Sequence, residues 1–144
     1  GSTHCILYQS GNNTTSTTSN LRYYQGKLQC ASDIVAYYSD QRLKTDFLKF
    51  DNAIEKICSL TGGTFEWNKT AQDLNPEVCI EGERHAGLIA QDVQKILPEA
   101  VTLAPGNNPD GSTDYLTIKY EKLVPLLVEA IKELKGEIDE LKKK

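Results

Sequence analysis

Residues 39–44 read SDQRLK and lie where the character of this 144-residue sequence changes. A Tyr-rich, strand-like segment precedes them, and a segment with apolar residues at helical spacing follows. The stretch also places the Ser39 hydroxyl and the Lys44 amine five residues apart. It therefore predicts a boundary between two structural regions and, at that boundary, a candidate pair of nucleophile and base.

The region before the boundary, residues 1–39, is interpreted as the end of a larger β structure. Residues 1–38 carry only three formal charges, and residues 10–20 are Ser, Thr or Asn at ten of eleven positions, which is typical of a turn or low-complexity loop. β-Branched and aromatic residues at 5–8 and 34–38, with a turn at Gly26-Lys27, predict strands. These segments hold too few apolar residues for a core of their own.

The region after the boundary, residues 40–144, mixes helical and strand patterns. Apolar spacing within 48–60 predicts a helix, with Asp51 as its N-cap and Gly62-Gly63 as its stop. Apolar spacing also predicts a helix over 88–97, stopped by Pro98. Between them, 64–67 predicts a short strand and 71–84 a polar loop or hairpin arm. A turn at 109–111 leads into an alternating strand at 115–120. The predicted fold class is therefore α+β.

The last helix, predicted over 121–144, carries the pattern of a coiled coil. Pro125 suits its first turn, and Glu137 and Lys142 take the flanking positions where ion pairs between chains form. Spacings of three and four separate six apolar residues: Val124, Leu127, Ile131, Leu134, Ile138 and Leu141. We expect this stripe to mediate self-association. The alternative is a helix that packs only on its own domain.

The chemistry available to Ser39 depends on a base. A serine hydroxyl is a poor nucleophile until its proton is removed, and a lysine removes it only when burial disfavours the ammonium form. Leu43, Phe47 and Leu48 flank Lys44 and predict its partial burial. The spacing alone is weak evidence, because a helix-capping serine and a solvated lysine fit it as well.

Composition excludes several classes of function. A net charge of −4 without a basic stripe argues against a nucleic-acid binder, and no apolar run approaches the roughly 20 residues that span a bilayer. The four cysteines, at 5, 30, 58 and 79, show no metal-ligand spacing, and nothing in the sequence supports a disulfide framework; they are expected to be reduced and mostly packing residues. No metal and no cofactor are predicted.

Several motifs follow one another through residues 39–144. After SDQRLK come an aromatic strand at 65–67, the sequence HAGLIAQDV at 85–93 and LPEAV at 97–101. The end of the chain adds YEKLVPLL at 120–127 and AIKEL at 130–134. In this order they resemble the intramolecular chaperone domain of phage tailspikes and tail fibres, known from endosialidases.

The resemblance implies a homotrimer that templates the folding of the β-structured fibre or spike before it and then cuts itself off. Ser39 matches the nucleophile and Lys44 the general base, with the cut at Ser39–Asp40 or just before Ser39. His85, Gln91 and Arg42 are possible auxiliary residues, Arg42 as the partner of an acidic residue in another chain. The implied partners are the other copies of the chain and its upstream fibre segment. Assembly is implied in the host cytoplasm, with the chaperone part released and the upstream part kept in the virion tail.

Two other functions stay open, and a third is disfavoured. The first alternative is a non-catalytic coiled-coil tip that holds a fibre together. The second is a relative of the self-cleaving domain of the membrane-bound myelin regulatory factor, which releases a transcription factor. A hydrolase that acts on other molecules is disfavoured, because the sequence shows no sign of a substrate pocket.

Overall fold

The structure of the protein is a computed structural model, which describes residues 5–9, 15–24, 27–31, 33–34, 38–104 and 115–144. The chain divides into two compact units, Gly1–Phe47 and Leu48–Lys144. Helices and small antiparallel sheets alternate, and the last element is a long helix. The predicted α+β class is confirmed, whereas the placement of a domain boundary beside Ser39 stays a prediction.

The first unit contains a three-stranded antiparallel sheet of β1 (Cys5–Gln9), β2 (Thr15–Tyr24) and β3 (Lys27–Cys30). The predicted strand at 5–8 is confirmed. The loop predicted over 10–20 is wrong for 15–20, because threonines pair there with β1 in register, and β-branched side chains suit a pleated sheet. Gly26 and residues 35–37, from the predicted turn and second strand, lie outside the described residues.

The described part of the second unit holds four α-helices and four strands. The helices are α1 (Ala53–Cys58), α2 (Lys69–Leu74), α3 (Ala90–Ile96) and α4 (Val124–Leu141). The strands β4 (Gly62–Glu66) and β5 (Arg84–Leu88) form one antiparallel pair, and β6 (Val101–Leu103) and β7 (Leu116–Ile118) form another. Short 3₁₀ turns lie at Pro98–Ala100 and Tyr120–Leu123.

Several predicted element bounds are wrong, for one physical reason. Gly62 and Gly63 pair with β5 as part of a strand and do not serve as a helix stop, and Leu88 is in β5, so α3 begins only at Ala90. Cross-strand pairing, which local spacing does not reveal, sets these bounds.

The polar segment 71–84 was predicted without a helix, yet Asn68 caps α2 by accepting a hydrogen bond from the Ala71 N–H. The predicted turn at 109–111 lies outside the described residues.

The core of the second unit has two adjoining parts. One joins α3 to the turn before β6 and contains Val93, Leu97, Ala100 and Leu123. The other joins α1 to α4 through Ala53, Leu126 and Ala130. Phe50 and Ile96 pack against both parts, so α1, α3 and α4 share one hydrophobic interior.

A carboxylate of α4 caps the first turn of α1. Glu133 accepts hydrogen bonds from the Ala53 and Ile54 N–H groups, each at 2.9 Å. The cap predicted at Asp51 is wrong, because Asn52 holds the N-cap position in left-handed conformation and Asp51 binds the Lys56 ammonium instead. A distant acid therefore satisfies helix N–H groups that are normally satisfied by a neighbouring side chain.

The C-terminal helix α4 uses one face within its own unit and leaves another face uncovered. Pro125 lies in its first turn, as predicted. Leu126 and Ala130 are buried, whereas the next stripe around the helix is 44–67% exposed along its whole length: Val124, Leu127, Ile131, Leu134, Ile138 and Leu141. Packing among the described residues therefore leaves the side chains of these heptad residues exposed.

Three cysteines have described side chains, and none of the three forms a disulfide. Cys79 is buried, as expected for a packing residue, whereas Cys30 and Cys58 are exposed and do not fit that expectation. The helices that the structure describes include none with the length and apolar character needed to cross a bilayer. Acidic, His and Cys side chains form no metal-binding group within the described ranges.

Candidate functional site

Ser39 and Lys44 are in hydrogen-bond contact, with the Lys44 Nζ atom 3.0 Å from the Ser39 Oγ atom. A 3₁₀ turn at Gln41–Leu43 lies between them and folds the chain back. The Leu43 N–H donates to the Asp40 carbonyl and the Lys44 N–H to the Gln41 carbonyl, both at 3.1 Å. The ammonium donates to the hydroxyl in this arrangement. After Lys44 loses a proton, the same contact lets the hydroxyl donate to the amine.

Asp40 sets up the turn with its side chain. Its Oδ1 atom accepts a hydrogen bond from the Arg42 N–H at 2.8 Å, which makes Asp40 the N-cap. The Arg42 guanidinium binds the same carboxylate through both oxygens, with Nη2 at 2.7 Å from Oδ2 and Nε at 3.1 Å from Oδ1. These hydrogen bonds from Arg42 hold the pKa of Asp40 below its usual value.

Lys44 is exposed in the described structure, so the partial burial predicted for it is not present. Its expected cover is itself open to solvent, with Leu43 65%, Phe47 72% and Leu48 85% exposed. Its ammonium does lie over the Phe47 ring, 5.8 Å from the ring centre. The pair therefore has contact geometry in the single chain, but it lacks the apolar surroundings that favour a neutral lysine.

His85 lies on β5, opposite Phe65 of β4, and belongs to an aromatic cluster with Trp67. Its ring centre is 5.7 Å from that of Phe65 and 5.6 Å from that of Trp67. The Nε2 atom of His85 is shielded and makes no hydrogen bond within the described residues, and Glu83 Oε2 is 3.8 Å away. The Nε1 donor of Trp67 is in the same state.

The structure brings together only some of the residues singled out from the sequence. Ser39, Asp40, Arg42 and Lys44 meet in one turn of the first unit. His85 and Gln91 belong to the second unit, with Gln91 exposed in the first turn of α3. Arg42 was expected to bind an acid of another chain, and in the structure it binds Asp40 of its own chain.

Sequence reasoning missed the capping role of Asp40. Asp followed by a polar residue and Arg is a weak local signal for a capped turn, so Asp40 was recognisable in principle. Phe47 was expected beside Lys44 as partial cover, and its ring centre does lie 5.8 Å from the ammonium, although both residues are exposed.

Comparison with known proteins gives a family match over the candidate site. Residues 39–102 match the model of a peptidase family described as "Chaperone of endosialidase". The match begins at Ser39, includes Lys44 and extends through α1, α3 and both strands of the β4–β5 pair.

Phage tail fibre proteins are among the similar curated proteins. The long tail fiber protein Gp37 of Enterobacteria phage M1 is 41% identical over 105 residues, which is 72% of this chain. The corresponding protein of Salmonella phage S16 is 30% identical over 138 residues, or 96% of this chain. The chain spans 38% of the M1 protein and 17% of the S16 protein.

A eukaryotic protein is also similar. The Myelin gene regulatory factor-like A protein of Dictyostelium discoideum is 31% identical over 118 residues, which is 79% of this chain and 13% of that protein.

Proposed function

Residues 39–102 are a chaperone of endosialidase domain, and from that premise we propose that the chain is a self-cleaving intramolecular chaperone of a phage tail fibre. It forms a homotrimer, templates the folding of the fibre segment that precedes it in the same chain, and releases itself by one cut at or beside Ser39–Asp40. Ser39 is the nucleophile and Lys44 the general base.

The observation that carries the proposal is the 3.0 Å contact between Lys44 Nζ and Ser39 Oγ at the first residue of the family match. Ser–Lys pairs are an established variant of the activated serine nucleophile. The contact lies within hydrogen-bond reach, which is the geometric requirement for a general base. It also lies where sequence character changes, so a cut there separates two structurally different parts.

The chemical step transfers one proton and exchanges one acyl bond. Neutral Lys44 takes the proton of Ser39 Oγ, and the oxygen bonds to a neighbouring backbone carbonyl carbon. Attack on the Tyr38 carbonyl closes a five-membered ring and frees the amine of Ser39. Attack on the Ser39 carbonyl closes a four-membered lactone and frees the amine of Asp40.

The leaving nitrogen then takes the proton from the Lys44 ammonium. Water hydrolyses the resulting ester or lactone, so its hydroxide goes to the acyl carbon and a proton returns to Ser39 Oγ. One peptide bond is replaced by a carboxylate and an amine, and the dyad returns to its starting state. The two routes differ in whether the released fragment begins with Ser39 or with Asp40.

Exposure of the dyad supports coupling between cutting and assembly. Lys44 and its neighbour Phe47 are exposed in the single chain, and so is the heptad stripe of α4. Trimer packing that covers Lys44 favours its neutral form and switches on the base only after assembly. Release of the chaperone then removes the path by which the fibre could unfold, which traps the fibre kinetically.

The experiment compares the full 144-residue chain with Ser39→Ala and Lys44→Arg on a denaturing gel over time. Wild type is expected to yield a fragment whose mass places its first residue at Ser39 or Asp40. Lys44→Arg keeps the positive charge but cannot supply a neutral base, so we expect its rate to fall by at least about 100-fold.

Lys49→Arg is the matched control, because Lys49 is also exposed and follows the site by five residues. It is expected to cut like wild type. A wild-type chain that stays intact, or a Lys44→Arg chain that cuts at the wild-type rate, contradicts the proposed mechanism.

The second candidate function is a non-catalytic trimerisation tip, which the exposure of the dyad and of the heptad stripe favours. It predicts association without any fragment. The Dictyostelium relative supports a third reading, a self-cleaving domain of a membrane-bound transcription factor. The share of this chain matched by the S16 fibre protein favours the phage assignment.

A further inference from the structure

The Asp40 carboxylate and the Ser39 hydroxyl are alternative hydrogen-bond partners for the Lys44 amine. Asp40 directly follows the nucleophile and is the N-cap of the turn whose C-cap is Lys44, so the carboxylate and the amine belong to the same turn. An ammonium next to a free carboxylate is held in its charged form. A lysine bound in that way neither accepts the Ser39 proton nor remains on the Ser39 hydroxyl.

Arg42 binds the Asp40 carboxylate, which is then not available to Lys44. Its guanidinium binds both oxygens of the Asp40 carboxylate, at 2.7 Å and 3.1 Å, and its backbone N–H binds Oδ1 at 2.8 Å. A planar guanidinium matches a carboxylate with two parallel hydrogen bonds and stays charged at every relevant pH. The Asp40 oxygens are thereby committed to Arg42, and Lys44 Nζ is found on Ser39 Oγ.

The other ionisable groups in this described segment of chain are few. Within residues 38–47 the ionisable groups besides Lys44, Asp40 and Arg42 are the Tyr38 phenol and the Asp46 carboxylate. Asp46 makes no ion pair with any described residue, and the Phe47 ring centre lies 5.8 Å from the Lys44 Nζ atom. Of the two carboxylates in this segment, Asp40 is the one that caps the same turn as Lys44.

Accordingly, we propose that Arg42 is a positioning residue for self-cleavage: it sequesters the Asp40 carboxylate and so leaves the Lys44 amine on the Ser39 hydroxyl. The inference rests on the proposed function, since it concerns the same dyad. Arg42 acts through Asp40 and Lys44 and does not touch the reacting atoms.

The test is a double-mutant cycle in the full chain. Arg42→Gln frees the Asp40 carboxylate, and Asp40→Asn removes its charge but keeps an oxygen that can cap the turn. We expect Arg42→Gln alone to slow cleavage at neutral pH about tenfold and to move the pH–rate profile upward by roughly one unit. In the Asp40→Asn background the same Arg42 change should have little effect, because no carboxylate is left to compete.

A purely structural role of Arg42 predicts a different pattern. The Arg42 change would then slow cleavage equally with and without Asp40, and the pH profile would keep its position. Either of these results, or an Arg42→Gln chain that cuts at the wild-type rate, overturns the inference.

A second measurement separates this inference from the proposed function. In the uncut Ser39→Ala background, NMR titration of Lys44 Nζ should move to higher pH on Arg42→Gln and return when Asp40→Asn is added. A wild-type chain that stays intact contradicts the proposed function. A Lys44 titration that does not respond to Arg42→Gln contradicts the sequestering role.

Discussion

At the scale of single residues, the contact between Ser39 and Lys44 depends on the turn between them. In a continuous helix a separation of five residues puts the side chains about 140° apart, and in a strand it puts them roughly 16 Å apart. Neither regular structure brings the two together. The Asp40-capped turn does, so the contact between Lys44 Nζ and Ser39 Oγ depends on this turn as well as on the two side chains.

Gly87 shows the same dependence on a single contact within the second unit. A Cβ atom at Gly87 would lie 2.9 Å from the Tyr120 hydroxyl and 3.5 Å from a ring carbon of Phe65. That hydroxyl accepts a hydrogen bond from the Leu88 N–H at 3.0 Å. The absence of a side chain at Gly87 therefore lets Tyr120 bind the backbone of β5.

We predict that Gly87→Ala destabilises the second unit by about 1–3 kcal/mol, because the added methyl group displaces Tyr120. Gly63→Ala is the matched control, since Gly63 pairs with Gly87 across the strands and a Cβ there meets nothing within 4 Å. Urea unfolding of both variants measures the difference. Equal free energies of unfolding for the two variants would contradict this account of Tyr120.

At the scale of elements, α4 holds α1 through both apolar and polar contacts. Leu126 and Ala130 pack against Ala53, and one turn further along Glu133 receives the first N–H groups of α1. The short helix α1 has six residues and no side-chain cap of its own. Isolated helices of this length are unstable in water, so α1 depends on α4.

The Glu133 contact makes a prediction about pH. Hydrogen bonds from Ala53 and Ile54 lower the pKa of Glu133 from its ordinary value of 4.5, so the unfolded chain binds more protons in acid than the folded chain. The contribution of Glu133 to stability is present above the ordinary pKa and is lost as pH falls through the lowered one. We expect Glu133→Gln to lower the unfolding temperature by a few degrees at pH 7, with a difference from wild type that shrinks below about pH 4.

Thermal unfolding of wild type and Glu133→Gln across this pH range measures the effect. Glu140→Gln is the control, because it makes the same substitution about two turns later in α4, where the side chain makes no ion pair or hydrogen bond with the described residues. A difference between wild type and Glu133→Gln that stays constant down to pH 3 would refute the capping role.

At the scale of the whole molecule, the uncovered stripe of α4 is the feature that the single chain leaves unused. Six apolar residues repeat at spacings of three and four, and all six are exposed, whereas Leu126 and Ala130 pack against α1. Such a stripe is costly in water and is stabilised when copies of the helix pack together. The similar tail fibre proteins are longer, and this chain covers only a part of each of them.

We predict that Ile131→Gln with Leu134→Gln converts the proposed trimer to monomer and slows the proposed self-cleavage, because both changes lie on the exposed stripe. Lys132→Gln with Lys135→Gln makes the same number of polar substitutions on the neighbouring surface and should leave the mass unchanged. Native mass spectrometry reports the oligomer, and a denaturing gel reports the cut. A stripe variant that cuts at the wild-type rate as a monomer would remove the proposed coupling between assembly and cleavage.

Features set by short stretches of chain followed from the sequence. The choice of Ser39 and Lys44 as a candidate pair rested on ordered motifs. The α+β class and the last helix, with Pro125 in its first turn, followed from local spacing. The same local patterns misplaced the bounds of α3 and β4, because pairing with a distant strand outweighs helical spacing there.

Only the tertiary structure decided how distant residues meet. Glu133 caps a helix that begins 80 residues earlier, and no periodicity in the sequence connects the two. The same holds for the face of α4 that is buried, since Leu126 and Leu127 are alike as residues and differ only in what lies opposite them. The dyad at 39–44 belongs to both levels: the sequence supplied its two groups, and the Asp40-capped turn brought them within 3.0 Å, because side-chain contact depends on the path of the backbone between them.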